Sequence, residues 1–202
     1  MSNAKIIKSI ANRKKANDRF YTPKKIVDIM LKMCDIKETD KVLDPCIGEG
    51  AFYNNLPKCE KYWCEIDKGK DFFEWNKKVD LMIGNPPYSM WNKWLDHTIK
   101  YCDKFCYVFG IMNLTNHRIK RLEEEGFFIT KIHVCKVSYW LSNSMLVLFE
   151  KNKKPIITAT KHEIKCEKCG KRCGRGQTRK GVKLSPNICY LETLKKNKKN
   201  NI

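Results

Sequence analysis

The sequence predicts an α/β domain built on a mostly parallel sheet, followed by a small cysteine-rich module. Three observations carry that expectation. Short apolar runs at 41–46 and 79–83 break into loops bearing Gly and Pro, as buried parallel strands do where they open onto a ligand crevice. Stretches with helical periodicity alternate with them, at 23–34 and at 91–102. Cys166, Cys169 and Cys173 then gather in a basic segment near the C-terminus, with Cys189 further on.

The 202 residues suffice for one such domain and a small appendage, and a hydrophobic content of 42% suffices for its core. The sequence contains no apolar run of about 18 residues and no signal-peptide pattern. A soluble, non-secreted, cytoplasmic protein without a membrane partner is therefore expected. Most of the eleven cysteines lie singly inside expected strands and helices, as small buried residues do in a reducing compartment. A net charge of +19 favours a polyanionic partner, most simply nucleic acid. The excess is nearly all Lys, accompanied by many Asn, as an AT-rich coding sequence would produce unaided. Charge therefore supports a function and does not choose one.

Residues 1–19, with Arg13, Lys14 and Lys15, read as a basic mobile arm. Phe20-Tyr21-Thr22-Pro23 follows, with Thr22 as N-cap and Pro23 as the first residue of a helix to about Cys34. Residues 41–46 form the first strand, and Ile47-Gly48-Glu49-Gly50 the loop after it, where backbone can approach a ligand closely. The glycine spacing fits neither a dinucleotide fingerprint nor a phosphate loop. Asp44 at the strand end points to a ligand with a cationic or hydroxylated part. The helix beyond is brief and broken near Pro57.

Residues 62–67 read as the second strand, ending in Glu65 and Asp67, which compete to grip two ribose hydroxyls. Alternation puts both on one face. Asp71 can accept from an adenine amino group and Phe72 can pack on the ring. The span between these acids is too short for a full helix, so one connecting helix is missing. A strand at 79–83 follows, ended by Gly84. Further strands at 105–112, 127–140 and 144–150 and a charged helix at 116–125 complete the domain, the last two strands as an antiparallel pair. His97, His117 and His133 read as surface or packing residues.

Asn85-Pro86-Pro87-Tyr88 is the stretch that speaks of chemistry. Two prolines remove two backbone donors and fix φ twice, leaving a rigid loop with an amide, carbonyls and an aromatic ring. A planar exocyclic amine is a poor nucleophile because its lone pair is delocalised into the ring. The Asn85 side-chain oxygen and the Pro86 carbonyl can accept its two N–H bonds, and steady the charge that grows on nitrogen during attack. Tyr88 can stack on a base taken out of its helix. Read alone, the motif also fits a plain proline turn after a strand, the lesser of the two readings.

Taken in order, these residues resemble the class I S-adenosylmethionine-dependent methyltransferases, and within them the N6-adenine DNA methyltransferases of γ motif order. The resemblance covers about residues 20–150 and implies a reduced Rossmann-like sheet. It implies that Tyr21, Thr22, Asp44, Cys46, Gly48, Gly50, Glu65, Asp71, Phe72 and Asn85 line the S-adenosyl-L-methionine site. It also implies that Asn85, Pro86, Pro87 and Tyr88 form the catalytic motif, with Glu65 rather than Asp67 on the ribose. Attack by N6 would be direct, without a covalent enzyme intermediate and without metal. Two departures stand out: the truncated connection from Glu65 to Asp71, and the lack of an ordinary target-recognition domain after the core.

Residues 151–194 read as a basic, zinc-ribbon-like module and 195–202 as a disordered Lys/Asn tail. Cys166-x2-Cys169-Gly170 is a turn that aims two thiolates at one Zn²⁺, with Cys173 and Cys189 completing a tetrahedral site, or His162 in place of Cys189. Arg172, Arg175, Arg179, Lys180 and Lys183 make the module a grip for nucleic acid. The function expected is N6-adenine methylation of DNA, of the kind found in restriction–modification systems. RNA adenine methylation is nearly as compatible. A protein-glutamine methyltransferase shares the catalytic tetrapeptide, and a silent nucleic-acid-binding subunit would share the fold.

Overall fold

The computed structural model describes residues 21–136 and 143–157, with residues 178–179 and 182–183 as isolated short strands. The arm at 1–19, Cys166, Cys169, Cys173, Cys189, the alternative ligand His162 and the tail at 195–202 lie outside the described residues. The chain divides into one compact unit from Met1 to Thr160 and another from Lys161 to Ile202.

In the first unit, α1 (Lys24–Cys34) precedes β1 (Lys41–Asp44) and β2 (Glu60–Trp63). There follow β3 (Leu81–Gly84), α2 (Trp91–Tyr101), β4 (Lys104–Gly110), α3 (Asn116–Glu124), β5 (Phe127–Cys135) and β6 (Ser144–Lys151). The strands form one sheet in the order β2-β1-β3-β4-β6-β5. The first four are parallel, and β6 inserts antiparallel between β4 and β5. In the second unit, β7 (Thr178–Arg179) and β8 (Val182–Lys183) pair as an antiparallel hairpin.

Period-two alternation sorts the strand residues onto two cores. Leu43, Met82, Phe105, Tyr107, Phe109, Val147 and Phe149 face α2 and α3, meeting Trp91, Trp94, Leu95, Ile119 and Leu122. Val42, Leu81, Ile83, Cys106, Val108, Leu146 and Leu148 face α1, meeting Ile26, Val27, Met30 and Cys34. β4 is buried on both faces, which is why its sequence reads as an unbroken apolar run.

Several expectations move. Thr22 does not cap α1. Pro23 holds the N-cap position with no side-chain bond, and its carbonyl takes the N–H groups of Ile26 and Val27. The segment after Phe52 is only a short 3₁₀ turn, Tyr53–Asn55. The second strand ends at Trp63 rather than Asp67. Ile66–Lys68 is a 3₁₀ turn closed by left-handed Gly69, so Glu65 and Asp67 do not alternate along one strand face. β4 stops at Gly110, and Ile111 and Met112 belong to a turn. The connection between β2 and β3 contains 3₁₀ turns and no α-helix, as expected, and this leaves β2 at the sheet edge. Past Pro155 the chain still belongs to the first unit, where Ile156 N–H donates to Ile129 O at 2.9 Å.

Phe105 has no exposure and stacks on Phe149 at 4.8 Å and 14°. Phe105→Ala should cost about 3–5 kcal/mol, read as a lower urea midpoint with an unchanged slope. A loss below about 1 kcal/mol would show that this stack is not at the centre of the core.

Candidate active site

β1 is flanked by β2 on one side and β3 on the other, so the chain changes direction across the sheet there. In open α/β sheets such a switch point leaves a crevice beyond the carboxyl ends of the strands. The loops after β1 and β3 border it, and Gly84 lets them close. A Cβ on Gly84 would stand 3.3 Å from Pro45 Cδ, 3.4 Å from Asp44 Oδ1 and 3.5 Å from Cys46 Sγ. The backbone N–H of Asn85 bonds the Cys46 thiol, whose pKa burial drives far up. Asn85 is thereby tied to the loop of Asp44.

Asp44 is fully buried. Its Oδ1 accepts from Cys46 N–H at 3.2 Å, while Oδ2 has no hydrogen-bond partner. Burial pushes its pKa up to about 7, against N–H bonds from Cys46 and Tyr53 that lower it, with the Glu65 charge adding to the rise. A buried carboxylate oxygen without a partner suits a cationic group brought by a ligand. Gly48, at φ +51°, has open space where a Cβ would sit, so a ligand can reach this backbone. Glu65 Oε2 accepts from Gly48 N–H at 2.8 Å, and Lys68 Nζ donates to Gly48 O at 2.9 Å. These residues fit a ligand with an ammonium group and a ribose.

Asn85 Nδ2 donates to Thr22 Oγ1 at 3.3 Å, across 63 positions of sequence. This is the role Thr22 takes up instead of helix capping, and it turns the amide so that Oδ1 points away from Thr22. Pro86 is buried, and Pro87 and Tyr88 are half-buried. The Tyr88 ring stacks on Trp91 at 5.8 Å and 20°, and Trp91 on Phe109 at 4.3 Å and 11°. This ladder of rings reaches from the core to the Asn85–Tyr88 loop. Trp91 has no signal of its own in the sequence beyond its place three residues after Tyr88.

Asp71 Oδ1 accepts from Phe73 N–H at 2.9 Å and stays half-buried. Phe72 is 2% exposed and lies against Trp94 at 4.4 Å and His97 at 4.8 Å, inside an aromatic cluster. It supports the rim rather than offering an open ring face. Tyr21 is exposed beside Thr22. Among the described residues no group of three or more His, Cys, Asp or Glu could hold a metal ion. No described helix is long and apolar enough to cross a membrane.

Residues 5–63 match the family described as N-6 DNA Methylase. The type II methyltransferase M.CvrRI of Paramecium bursaria Chlorella virus XZ-6E is 33% identical over 34% of this chain and 24% of that protein. The type II methyltransferase M.EcoRI of Escherichia coli is 31% identical over 29% of this chain and 18% of that protein. The matches in sequence are thus to a DNA methylase family model over residues 5–63 and to parts of two type II methyltransferases. The chain matches about a quarter or less of those relatives' own length. Magnesium protoporphyrin IX methyltransferase (ChlM) from Synechocystis PCC 6803, solved with bound SAM, superposes with a TM-score of 0.52. That match has 14% identity and covers 63% of this chain and 79% of that one. At that identity the likeness shows the fold alone, a Rossmann-like α/β sheet.

Asp44 gives a direct test of the site. Because its folded pKa lies above its unfolded value, the native state holds an extra proton between about pH 4 and 7. Stability should therefore fall as pH rises through that window. A rise from 3.8 to about 7 corresponds to about 4 kcal/mol. Asp44→Asn keeps the acceptor for Cys46 N–H and removes this penalty. It should melt higher than wild type at pH 8 and about equally at pH 4. Equal melting temperatures at pH 8 would show that Asp44 ionises without strain.

Proposed function

We propose that this chain is an S-adenosylmethionine-dependent methyltransferase acting on the exocyclic N6 amine of adenine in DNA. The observation that carries the reading is the Asn85–Thr22 bond at the mouth of the crevice, beside a buried Asp44 oxygen without a partner. Asp44 and the Gly48 backbone would hold the methionine end, and Glu65 the ribose. Asp71 stands at the rim for the adenine of the cofactor. The bound cofactor supplies an electrophilic methyl group on sulfonium sulfur.

The rest is done by the chain's own groups. Asn85 Oδ1 and the Pro86 carbonyl accept the two N–H bonds of the target amine. This draws its lone pair out of conjugation and stabilises the positive charge that develops as the N–C bond forms. Pro86 and Pro87 hold both acceptors with little freedom to relax. Tyr88, held by its stack on Trp91, would meet the extruded base. The surplus proton leaves N6 for solvent.

Asn85→Ala should lower methyl transfer about 100-fold or more, while changing cofactor affinity far less. The assay is transfer of labelled methyl groups to DNA, RNA and protein offered in parallel, with cofactor binding followed by calorimetry. Near-wild-type turnover of Asn85→Ala would remove the catalytic assignment. Label entering RNA or protein in preference to DNA would reassign the substrate.

The same reading gives Cys166, Cys169, Cys173 and Cys189 a structural Zn²⁺ with no part in the chemistry, on the strength of their spacing. Elemental analysis of protein purified without chelator should find about one zinc per chain. A metal-free protein that is folded and active would end that assignment.

A further inference from the structure

The chain leaves β4 through a tight turn whose corners are Ile111 and Met112, closed by Asn113 N–H donating to Gly110 O at 2.7 Å. Both corner residues are apolar and exposed, Ile111 at 46% and Met112 at 82%. An exposed methionine on a loose loop would be ordinary. This turn is held at several points. Ile111 N–H donates to Asn143 O at 3.2 Å. The Arg118 guanidinium donates to Asn113 O at 2.6 Å and to Asn92 Oδ1 at 2.9 Å. Leu114, just beyond, packs against the core.

The turn also stands beside the catalytic motif. Gly110 is close enough to Tyr88 that a Cβ on it would lie 3.5 Å from Tyr88 Cε2. Two apolar side chains are thus presented from a fixed backbone, at the carboxyl end of the sheet, next to the ring assigned to the extruded base. The helix that follows, α3, carries Arg118, Lys120 and Arg121 against Glu123 and Glu124, with Lys120 paired to Glu123 and Arg121 to Asp96, and the whole chain carries +19. Charge of that sign suits a polyanion as the occupant of this surface.

Extruding a base from a duplex leaves two neighbouring base faces unstacked. Proteins that distort duplexes insert apolar side chains at such steps. A methionine is slender, unbranched and polarizable, and can lie between flat rings. We propose that Met112, flanked by Ile111, is a wedge that enters duplex DNA beside the extruded adenine and fills the gap it leaves. The proposal rests on the reading of the site as a DNA adenine methyltransferase, and it adds that the substrate is paired DNA.

The test compares methyl transfer into a duplex carrying the target adenine with transfer into the same strand without its complement. Met112→Ala should lower kcat/KM on the duplex about tenfold and leave the single strand within about twofold, because only the duplex needs a gap filled. Met112→Leu should restore most of the duplex rate. Cofactor affinity and melting temperature should match wild type in both variants. Equal losses on the two substrates, or no loss on the duplex with Ile111 and Met112 both changed to Ala, would overturn the wedge while the function stands. A wild-type protein active on single strands alone would also overturn it. A wild-type protein that methylates no DNA would overturn the underlying reading and the wedge with it. Label entering a protein pool instead, and lost in Met112→Ala, would make the turn a protein-docking contact.

Discussion

The closeness of β1 and β3 at their carboxyl ends is the constraint on which the site depends. Gly84 sits at that contact: a Cβ there would stand 3.3 Å from Pro45 Cδ, so that the facing loop would have to give by a few tenths of an ångström. With that space free, the Asp44 loop and the Asn85 loop share one wall, and the Asn85 N–H can reach the Cys46 thiol. Pro86 and Pro87 then direct the chain away without asking for donors that the wall cannot satisfy. The two loops are therefore positioned together at that contact.

Closure of that kind has an energetic consequence at Asp44. A carboxylate sealed among Pro45, Cys46 and the β3 terminus loses its water, and one oxygen gains no partner in exchange. The fold tolerates this because more than twenty apolar side chains on the two faces of the sheet are almost fully buried. The strain is local and functional: it is relieved when a cation arrives at Oδ2, so part of the ligand's binding free energy comes from the protein's own unsatisfied charge. The same logic explains why the other acid of the site, Glu65, stays half-buried and bonded to Gly48 N–H. A hydroxyl ligand needs an acceptor and no buried charge.

The types of the elements and their succession along the chain were largely legible in the sequence, because β1, β3 and β4 are apolar runs and the helices have clear periodicity. What was not legible depended on partners distant in the chain. Thr22 carries a good capping side chain, and local rules assign it to α1, yet Asn85 lies within its reach only after β3 has docked. Phe72 reads as a ring open to a ligand until α2, twenty residues later, lays Trp94 and His97 over it. Glu65 and Asp67 look like alternate positions of one strand. Gly69 turns the chain back so soon that only Glu65 remains extended, bridged to Lys70. The preference for Glu65 as the ribose acid came from family resemblance; in the structure Asp67 sits within the 3₁₀ segment while Glu65 reaches Gly48.

That short connection also answers how a cofactor site can stand on an edge strand. Where a full helix and a further strand would brace β2, this chain uses a tight loop and lysines. Glu65 N–H donates to Lys70 O and Lys70 N–H to Glu65 O, at 2.8 and 3.0 Å, closing the loop on itself. Lys70 then lies over the Trp63 ring at 3.7 Å, with Lys68 at 5.8 Å, while Lys68 also donates to Gly48 O. Cation–ring contacts of this type are worth about 0.5–1 kcal/mol each when exposed, too little to build a sheet but enough to bias one loop conformation. They place positive charge along an edge that would otherwise invite pairing with another strand. Lys68 also holds the glycine loop beside Glu65, so protection of the edge and the placing of Glu65 come from neighbouring side chains.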